Sequence, residues 1–147
     1  MTKVVIVKGS LPAAMVPKGL GALGVELSGR KIVIKPNLIA NRPYPITTPA
    51  ETVEALIKYF MDRNEVVIAE GSGFDDTNTI YRDQGYVELA ERYGVRLVDL
   101  NRDEFEVLER ADAKVLKKFE FPLTLKDSYL ISAAVLKRHS IARLTLS

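Results

Sequence analysis

Residues 31–60 read KIVIKPNLIANRPYPITTPAETVEALIKYF and combine a strand, a proline-rich connection and a helix. Residues 31–35 form a short apolar run, which is typical of a strand buried in a sheet. The run ends abruptly on the cation Lys35 and the amide Asn37. Prolines at positions 43, 45 and 49 then restrict the connection, because each fixes its own φ angle. A buried strand that ends on polar groups beside a stiff loop suggests a functional site at that edge of the sheet.

The helix that follows has a strong periodic pattern. Thr48 suits the N-cap, Pro49 the first helical position and Glu51 the third, which together predict a capping box. Asn64 is the predicted left-handed C-cap. Apolar residues recur at steps of three and four, so one face of the helix packs on the core. These apolar positions are Ala50, Val53, Leu56, Ile57, Phe60 and Met61.

The same alternation of strand and helix continues along the chain. Residues 4–7, 66–69 and 95–100 are predicted strands, and residues 79–93 are a predicted amphipathic helix. Residues 11–27 are rich in proline and glycine, so any helix there is short and starts at Pro17. Strands joined by helices through short connections predict an α/β fold, with a mostly parallel sheet and helices on both faces.

The alternation stops after residue 100. Residues 105–109 and 115–121 alternate apolar and polar side chains, which predicts a β-hairpin insertion near residues 105–121. Residues 129–136 are an apolar run and a predicted buried strand. Residues 141–147 are still patterned like ordered structure. We therefore expect residues 1–147 to form a single α/β domain that is incomplete at its C-terminus.

Composition restricts the class of partner. The chain has 21 Lys and Arg against 19 Asp and Glu, a net charge of +2 that argues against nucleic acid. The three lysines within residues 114–118 fit a solvated strand face better than a nucleic-acid patch. No apolar run reaches the roughly 20 residues of a membrane span. The chain has no cysteine, which excludes disulfides, thiolate metal sites and thiol nucleophiles. We expect a cytoplasmic protein without a membrane partner.

Polar residues follow several of the predicted strands. In open parallel sheets, ligands bind at the carboxyl ends of the strands, where the strand order reverses. The sequence therefore predicts that these polar side chains gather along one edge of the sheet. They are Lys35, Asn37, Glu70, Ser72, Lys137 and His139.

These residue types suit a small anionic metabolite. Lys35 and Lys137 would bind the anion, with the amide and hydroxyl groups orienting it. His139 or Glu70 would act as the catalytic proton carrier. The alternatives are that Lys35 only marks the end of a strand and that His139, the only histidine, lies in a surface turn. The sequence identifies neither a cofactor nor a reaction, so enzymatic activity stays undecided.

Two other patterns allow more than one interpretation. Residues 71–73, Gly-Ser-Gly, resemble the start of a phosphate loop but lack the full nucleotide-binding pattern, so a plain turn is favoured. Asp75 and Asp76 fit helix capping best. With Glu70 and Asp99 they could instead hold Mg²⁺ or Ca²⁺, but the spacing does not require a metal.

Six short stretches in this order resemble the family called domain of unknown function 362, over about residues 3–147. The resemblance implies an archaeal or bacterial cytoplasmic protein whose biochemical role is largely unassigned. It also adds Thr47 to the ligand-binding candidates, because this residue lies in a matching stretch. The stretches are IKPN at 34–37, TTP at 47–49, EGS at 70–72, GYVELA at 85–90, VDLN at 98–101, and Lys137-x-His139.

The chain also departs from the family pattern. Ala134 and Val135 stand where the family usually has proline and lysine, and Arg138 replaces a small polar residue. Some family members carry ferredoxin-like cysteine clusters, but a chain without cysteine cannot inherit that redox role. The family also continues beyond the final Thr-Leu-Ser. These departures favour a second hypothesis, a non-catalytic module that forms a homodimer through the hairpin or the C-terminal segment.

Overall fold

A computed structural model describes residues 2–139 and 143–145, with only the backbone of His139. The helices are α1 (Pro12–Leu23), α2 (Ala50–Phe60), α3 (Thr77–Asp83) and α4 (Tyr86–Tyr93), with a 3-10 helix at Leu123–Leu125. The strands are β1 (Lys31–Pro36), β2 (Glu65–Glu70), β3 (Arg96–Asp99), β4 (Phe105–Glu109), β5 (Lys118–Pro122), β6 (Ser128–Ala133), β7 (Lys137–His139) and β8 (Arg143–Thr145). Among the described helices, none is long and apolar enough to cross a membrane.

Four strands form a parallel sheet in the order β3-β2-β1-β6. Ile34 of β1 is level with Ile68 of β2 on one side and with Ile131 of β6 on the other. The chain moves outward from β1 through β2 to β3 and then returns to the opposite side of β1. The strand order therefore reverses between β1 and β6, and the predicted α/β class with a mostly parallel sheet is confirmed.

The two faces of the sheet are covered differently. Ile32, Ile34 and Ile68 are fully buried against apolar residues from all four α-helices. On the opposite face, Val33 and Val67 pack in a smaller cluster that includes Leu125 of the 3-10 helix. The α-helices thus cover one face, and a single 3-10 turn is the helical element that contributes to the other cluster.

Helix α2 is confirmed, but its predicted caps are wrong. The helix begins at Ala50 with Pro49 in the N-cap position, and no side chain caps it. The Thr48 hydroxyl instead donates to the Ala133 carbonyl, 2.6 Å away in β6, because a tertiary partner replaces the local one. Asn64 is not left-handed either; its amide donates to the carbonyls of Leu27 and Phe60.

The N-terminal predictions also need correction. Residues 4–7 do not pair as a strand, and Val4 and Ile6 are largely exposed. Helix α1 starts at Pro12, and Pro17 lies inside it rather than at its beginning. The helix persists past Pro17 because Val16 and Leu20 pack on the core, and tertiary packing outweighs the cost of one lost backbone hydrogen bond.

The predicted helix at 79–93 is two helices. Gly85 takes a left-handed conformation, with φ of 76°, and separates α3 from α4. The turn sets the buried rings of Tyr81 and Tyr86 side by side, with centroids 5.9 Å apart. A continuous helix would not hold both rings in the same core.

The predictions for the C-terminal half of the described chain are confirmed in part. Strands β4 and β5 pair antiparallel, which confirms the hairpin. The strand predicted at 129–136 is shorter, since β6 ends at Ala133. It is also an edge strand rather than a buried one. Leu130 is 47% exposed because, among the described strands, β6 has a neighbour in the sheet on one side only.

Candidate functional site

Lys35 and Glu70 form an ion pair at the carboxyl ends of β1 and β2. The Lys35 Nζ lies 2.9 Å from Oε1 and 3.1 Å from Oε2 of Glu70. The backbone N–H of Leu38 also donates to Oε2 at 3.1 Å, and that of Gly71 donates to Oε1 at 2.9 Å. The Glu70 side chain is 6% exposed and that of Lys35 is 27% exposed. The carboxylate is therefore enclosed by donors, while the Lys35 side chain stays partly accessible from solvent.

Asn37 links the end of β1 to the proline-rich loop. Its backbone N–H donates to the Thr48 hydroxyl at 2.9 Å, and its carbonyl accepts from the Thr48 N–H at 3.0 Å. Its side-chain amide donates to the Ile46 carbonyl at 2.6 Å. The Thr48 carbonyl also accepts the hydroxyl of Tyr86 at 2.7 Å. With the bond from Thr48 to Ala133, these contacts tie the loop to both β1 and β6.

Lys137 approaches the same loop from the segment after β6. Its Nζ donates to the Ile46 carbonyl at 2.9 Å, so one carbonyl oxygen receives both Lys137 and Asn37. Burial lowers the pKa of Lys137, and the negative charge of Glu70 partly opposes that shift. Within the described part of the chain, Lys137 forms no salt bridge, which distinguishes it from Lys35.

The hydrogen-bonding groups of Ser72, in the glycine-serine loop after β2, are occupied by other residues of the chain. The Ser72 hydroxyl donates to the Ile39 carbonyl at 3.0 Å, and the Ser72 N–H donates to the Thr77 hydroxyl at 3.1 Å. The Asn101 amide donates to the Ser72 carbonyl at 2.8 Å. A Cβ on Gly71 would lie 2.7 Å from the Asn101 side-chain oxygen, so any larger residue here would force the Asn101 side chain to shift. This geometry fits a tight turn better than an open phosphate loop.

The remaining predicted site residues have separate positions. The Thr47 hydroxyl is buried and donates to the Arg42 carbonyl at 2.7 Å. It therefore holds the proline-rich loop, as Ser72 holds its own loop. The side chain of His139 lies outside the described residues, so its catalytic role stays a prediction. The structure brings four predicted residues to one edge of the sheet, namely Lys35, Asn37, Glu70 and Lys137.

The acidic side chains considered for a cation have other partners. Asp75 accepts the Asn41 N–H at 2.7 Å. Asp76 caps α3 by accepting the Thr79 N–H at 2.9 Å, so the capping prediction is confirmed for Asp76 and not for Asp75. In the ranges that the structure covers, no group of three or more His, Cys, Asp or Glu could hold a metal ion.

A cavity of about 420 Å³ lies elsewhere, between α1 and α2 near the amino ends of β1 and β2. Three of its polar side chains, those of Tyr59, Asn64 and Lys58, already have partners. The Tyr59 hydroxyl donates to the Val25 carbonyl at 3.0 Å, and Asn64 bridges two carbonyls in its wall. The Lys58 ammonium is paired with Glu54 at 2.8 Å. We regard this cavity as a packing gap between helices and strands. The edge with Lys35 and Lys137 is the stronger candidate site.

Sequence reasoning missed two groups that organise this edge. The Ile46 carbonyl accepts from both Asn37 and Lys137, and a backbone acceptor has no signature in the residue type. Thr48 was assigned to a cap, although its hydroxyl joins the loop to β6. The three prolines around these residues were the available signal, because they indicate a loop with one fixed shape.

Comparison with known proteins gives one match. No curated protein and no solved structure matches the chain. The family model described as domain of unknown function 362 matches residues 32–147. The matched region starts within β1 and contains every predicted site residue. This chain is a member of the family domain of unknown function 362.

Proposed function

We propose that this protein binds a small anionic metabolite at the carboxyl edge of its parallel sheet, between β1 and β6. The observation that carries the proposal is that Lys35, at the end of β1, pairs with Glu70, and that Lys137, just after β6, donates to the loop that follows β1. Both lie where the strand order reverses, which is the usual ligand position in open α/β sheets.

The charges at this edge favour an anion. Glu70 pairs with one of the two lysines, Lys35, and the three donor groups around Glu70 already occupy its oxygens, while Lys137 contacts a neutral carbonyl. Each ammonium group has three N–H donors, and Lys137 uses one of them on the Ile46 carbonyl. The remaining donors are available for phosphate or carboxylate oxygens, and the 27% exposure of the Lys35 side chain gives a ligand access.

Glu70 has a positioning role in this proposal. Its oxygens receive Lys35 and two backbone N–H groups, so its side chain fixes the direction of the Lys35 ammonium. Proton transfer during any reaction would then depend on His139, the other of the two proton carriers that the sequence predicts. The proposal is therefore ligand binding with an enzymatic ancestry, and catalysis by this chain is a separate question.

A thermal-shift screen with inorganic phosphate and small mono-, di- and tricarboxylates tests the proposal. A ligand at ten times its Kd should stabilise the folded protein by about 1.4 kcal/mol. Lys35→Ala and Lys137→Ala should lose most of this gain. Lys114→Ala, which removes the same charge from an exposed hairpin position, should keep it. If no anion stabilises the wild-type protein, or if all three variants respond alike, the proposal is wrong.

A second candidate function is a non-catalytic module that forms a homo-oligomer. The observation in its favour is the open edge of β6, where Tyr129 and Leu130 are 44% and 47% exposed. Such an edge can pair with the same strand of a second copy. Light scattering at micromolar concentration tests this function: a dimer that Leu130→Lys converts to monomer supports it, and a monomeric wild-type protein contradicts it.

We also propose that the protein works in the cytoplasm of an archaeon or bacterium. The support is the absence of cysteine together with the family membership. Fractionation of cells of the source organism, with immunodetection of the chain, tests the location. Recovery in an extracellular or membrane fraction would contradict it.

A further inference from the structure

The N-terminal segment, residues 3–7, has the composition of a buried strand but no partner strand in the described chain. It reads Lys-Val-Val-Ile-Val, and four consecutive apolar residues are typical of a strand covered on both faces. No backbone N–H or carbonyl group of the segment bonds to the backbone of another described residue. Val4 and Ile6 are 79% and 92% exposed, whereas Val5 and Val7 are partly buried. One side of the segment therefore contacts its own chain, and the other side is free.

The N-terminal segment lies along α1 of its own chain. The Lys3 ammonium donates to the Ala22 carbonyl. A Cβ on Gly19 would lie 3.6 Å from a methyl carbon of Val7, so this side chain also rests on the helix. Both contacts are made by side chains of the segment. Its backbone donors and acceptors thus stay available for pairing with a strand.

Strand β6 has an edge that suits such a segment. Among the described strands it pairs with β1 only, so its outer row of N–H and C=O groups has no strand to bond to. Tyr129 and Leu130 are consecutive and point to opposite faces of the sheet, and both are exposed. Residues 128–133 include no charged side chain. An added strand would meet apolar groups on both faces, which matches the apolar composition of the segment.

The opposite edge of the sheet is protected by charge. Strand β3 begins with Arg96 and ends with Asp99, and the Arg96 side chain is 64% exposed. Charged side chains on an edge strand oppose pairing with another strand. The hairpin strands β4 and β5 also carry glutamate or lysine. Strand β6 is therefore the described edge that fits an apolar strand best.

We infer that the N-terminal segment of one copy adds as a strand to the β6 edge of a second copy. A second copy is the partner because Val4 and Ile6, on the free side of the segment, are covered by no described residue of their own chain. Each copy has one segment and one edge, so reciprocal exchange closes a dimer with two contacts. The inference goes beyond the anion site and rests on the second candidate function. It replaces a contact between two β6 strands with a contact between β6 and the segment.

Sedimentation velocity of the full chain, over a series of concentrations, tests this contact. We expect a dimer for the wild-type protein and a loss of the dimer for both Ile6→Lys and Leu130→Lys, because each puts a charge on one side of every contact. Val115→Lys is the matched control, since Val115 is an apolar residue of the hairpin that is 88% exposed. This variant should stay dimeric. Circular dichroism checks that all three variants are folded.

An equimolar mixture of the two monomeric variants is the decisive sample. The Leu130→Lys chain keeps an intact segment, and the Ile6→Lys chain keeps an intact β6 edge. The mixture should therefore form a heterodimer with one contact, which dissociates at a higher concentration than the wild-type dimer. Pairing of β6 with β6 predicts instead that Ile6→Lys alone is still a dimer.

Each other result overturns the inference in a recognisable way. A monomeric wild-type protein contradicts both the inference and the second candidate function, and leaves the anion site unaffected. A dimer that survives Ile6→Lys but not Leu130→Lys keeps the second candidate function and overturns the role of the segment. Loss of the dimer in Val115→Lys places the contact in the hairpin. A mixture that stays monomeric excludes the exchange of the segment between copies.

Discussion

Replacing Glu70 with glutamine removes one charge from the centre of the candidate site and leaves the side-chain shape almost unchanged. The carboxylate accepts from the Lys35 ammonium and from the backbone N–H groups of Leu38 and Gly71. Glutamine has only one acceptor oxygen, so its NH₂ group must face one of these donors. The substitution therefore breaks the ion pair and leaves at least one buried donor without an acceptor.

The size of the effect follows from the burial of the two partners. A hydrogen bond to a charged group contributes about 1.5–3 kcal/mol, and an unsatisfied buried donor costs about 1–3 kcal/mol. The Lys35 side chain is 27% exposed, so water replaces part of its lost contact. We expect Glu70→Gln to lower the free energy of unfolding by about 2–3 kcal/mol.

Glu65→Gln is the matched control, because Glu65 lies at the other end of the same strand. Its contact with Arg96 is 3.4 Å long, and the two side chains are 59% and 64% exposed. Such a surface pair contributes less than about 1 kcal/mol. Urea unfolding followed by circular dichroism measures both variants. If the two losses are equal within about 0.5 kcal/mol, a typical error of such comparisons, the buried network does not hold this edge.

Three further predictions concern the residues around this edge and the core beneath it. Thr48→Val should lower the free energy of unfolding by about 2 kcal/mol and Thr48→Ser by much less, because only serine keeps the hydroxyl between β1 and β6. Urea unfolding compares the two variants, and equal losses would contradict the role assigned to the hydroxyl. Gly71→Ala should destabilise by about 1 kcal/mol, because its Cβ would overlap a fixed amide. A Cβ on Gly21 meets no atom within 4 Å, so Gly21→Ala should stabilise α1 by about 0.5–1 kcal/mol. If both glycine variants change the free energy of unfolding in the same direction, the packing described around Gly71 is wrong. Burial raises the pKa of Tyr81 and Tyr86 above the ordinary 10.0, so their contribution to stability is complete below pH 10 and is lost as the pH rises further. Unfolding free energies measured from pH 8 to 11 should fall above pH 10, and the double variant with phenylalanine at both positions should fall less steeply; an unchanged slope would contradict the assignment.

The sequence predicted well wherever a local pattern and the tertiary structure agree. The apolar spacing of Val53, Ile57 and Phe60 identified α2, and all three side chains are buried. The polar ends of the strands predicted one edge, and the structure pairs Lys35 with Glu70 there and brings Lys137 to the loop that follows β1.

The predictions that failed were those in which a distant partner replaces a local one. Thr48 has the right type and spacing for a cap, but its hydroxyl bonds to Ala133, 85 residues away in the chain. Asn64 has the right type for a left-handed residue, but its amide bonds to Leu27 instead. The apolar run at 4–7 has strand propensity, yet in the described sheet it has no neighbouring strand to pair with. Propensity alone does not reveal such partners.

The position of bound ligand is the most direct test of the proposed anion site. Amide chemical shifts are measured by NMR while inorganic phosphate, and separately pyruvate, is titrated into the ¹⁵N-labelled chain. The proposal predicts that the largest saturable changes occur at Leu38, Gly71 and Lys137, which follow the carboxyl ends of β1, β2 and β6. Changes confined to the cavity between α1 and α2, around Asn64, or no saturable change at all, would contradict it.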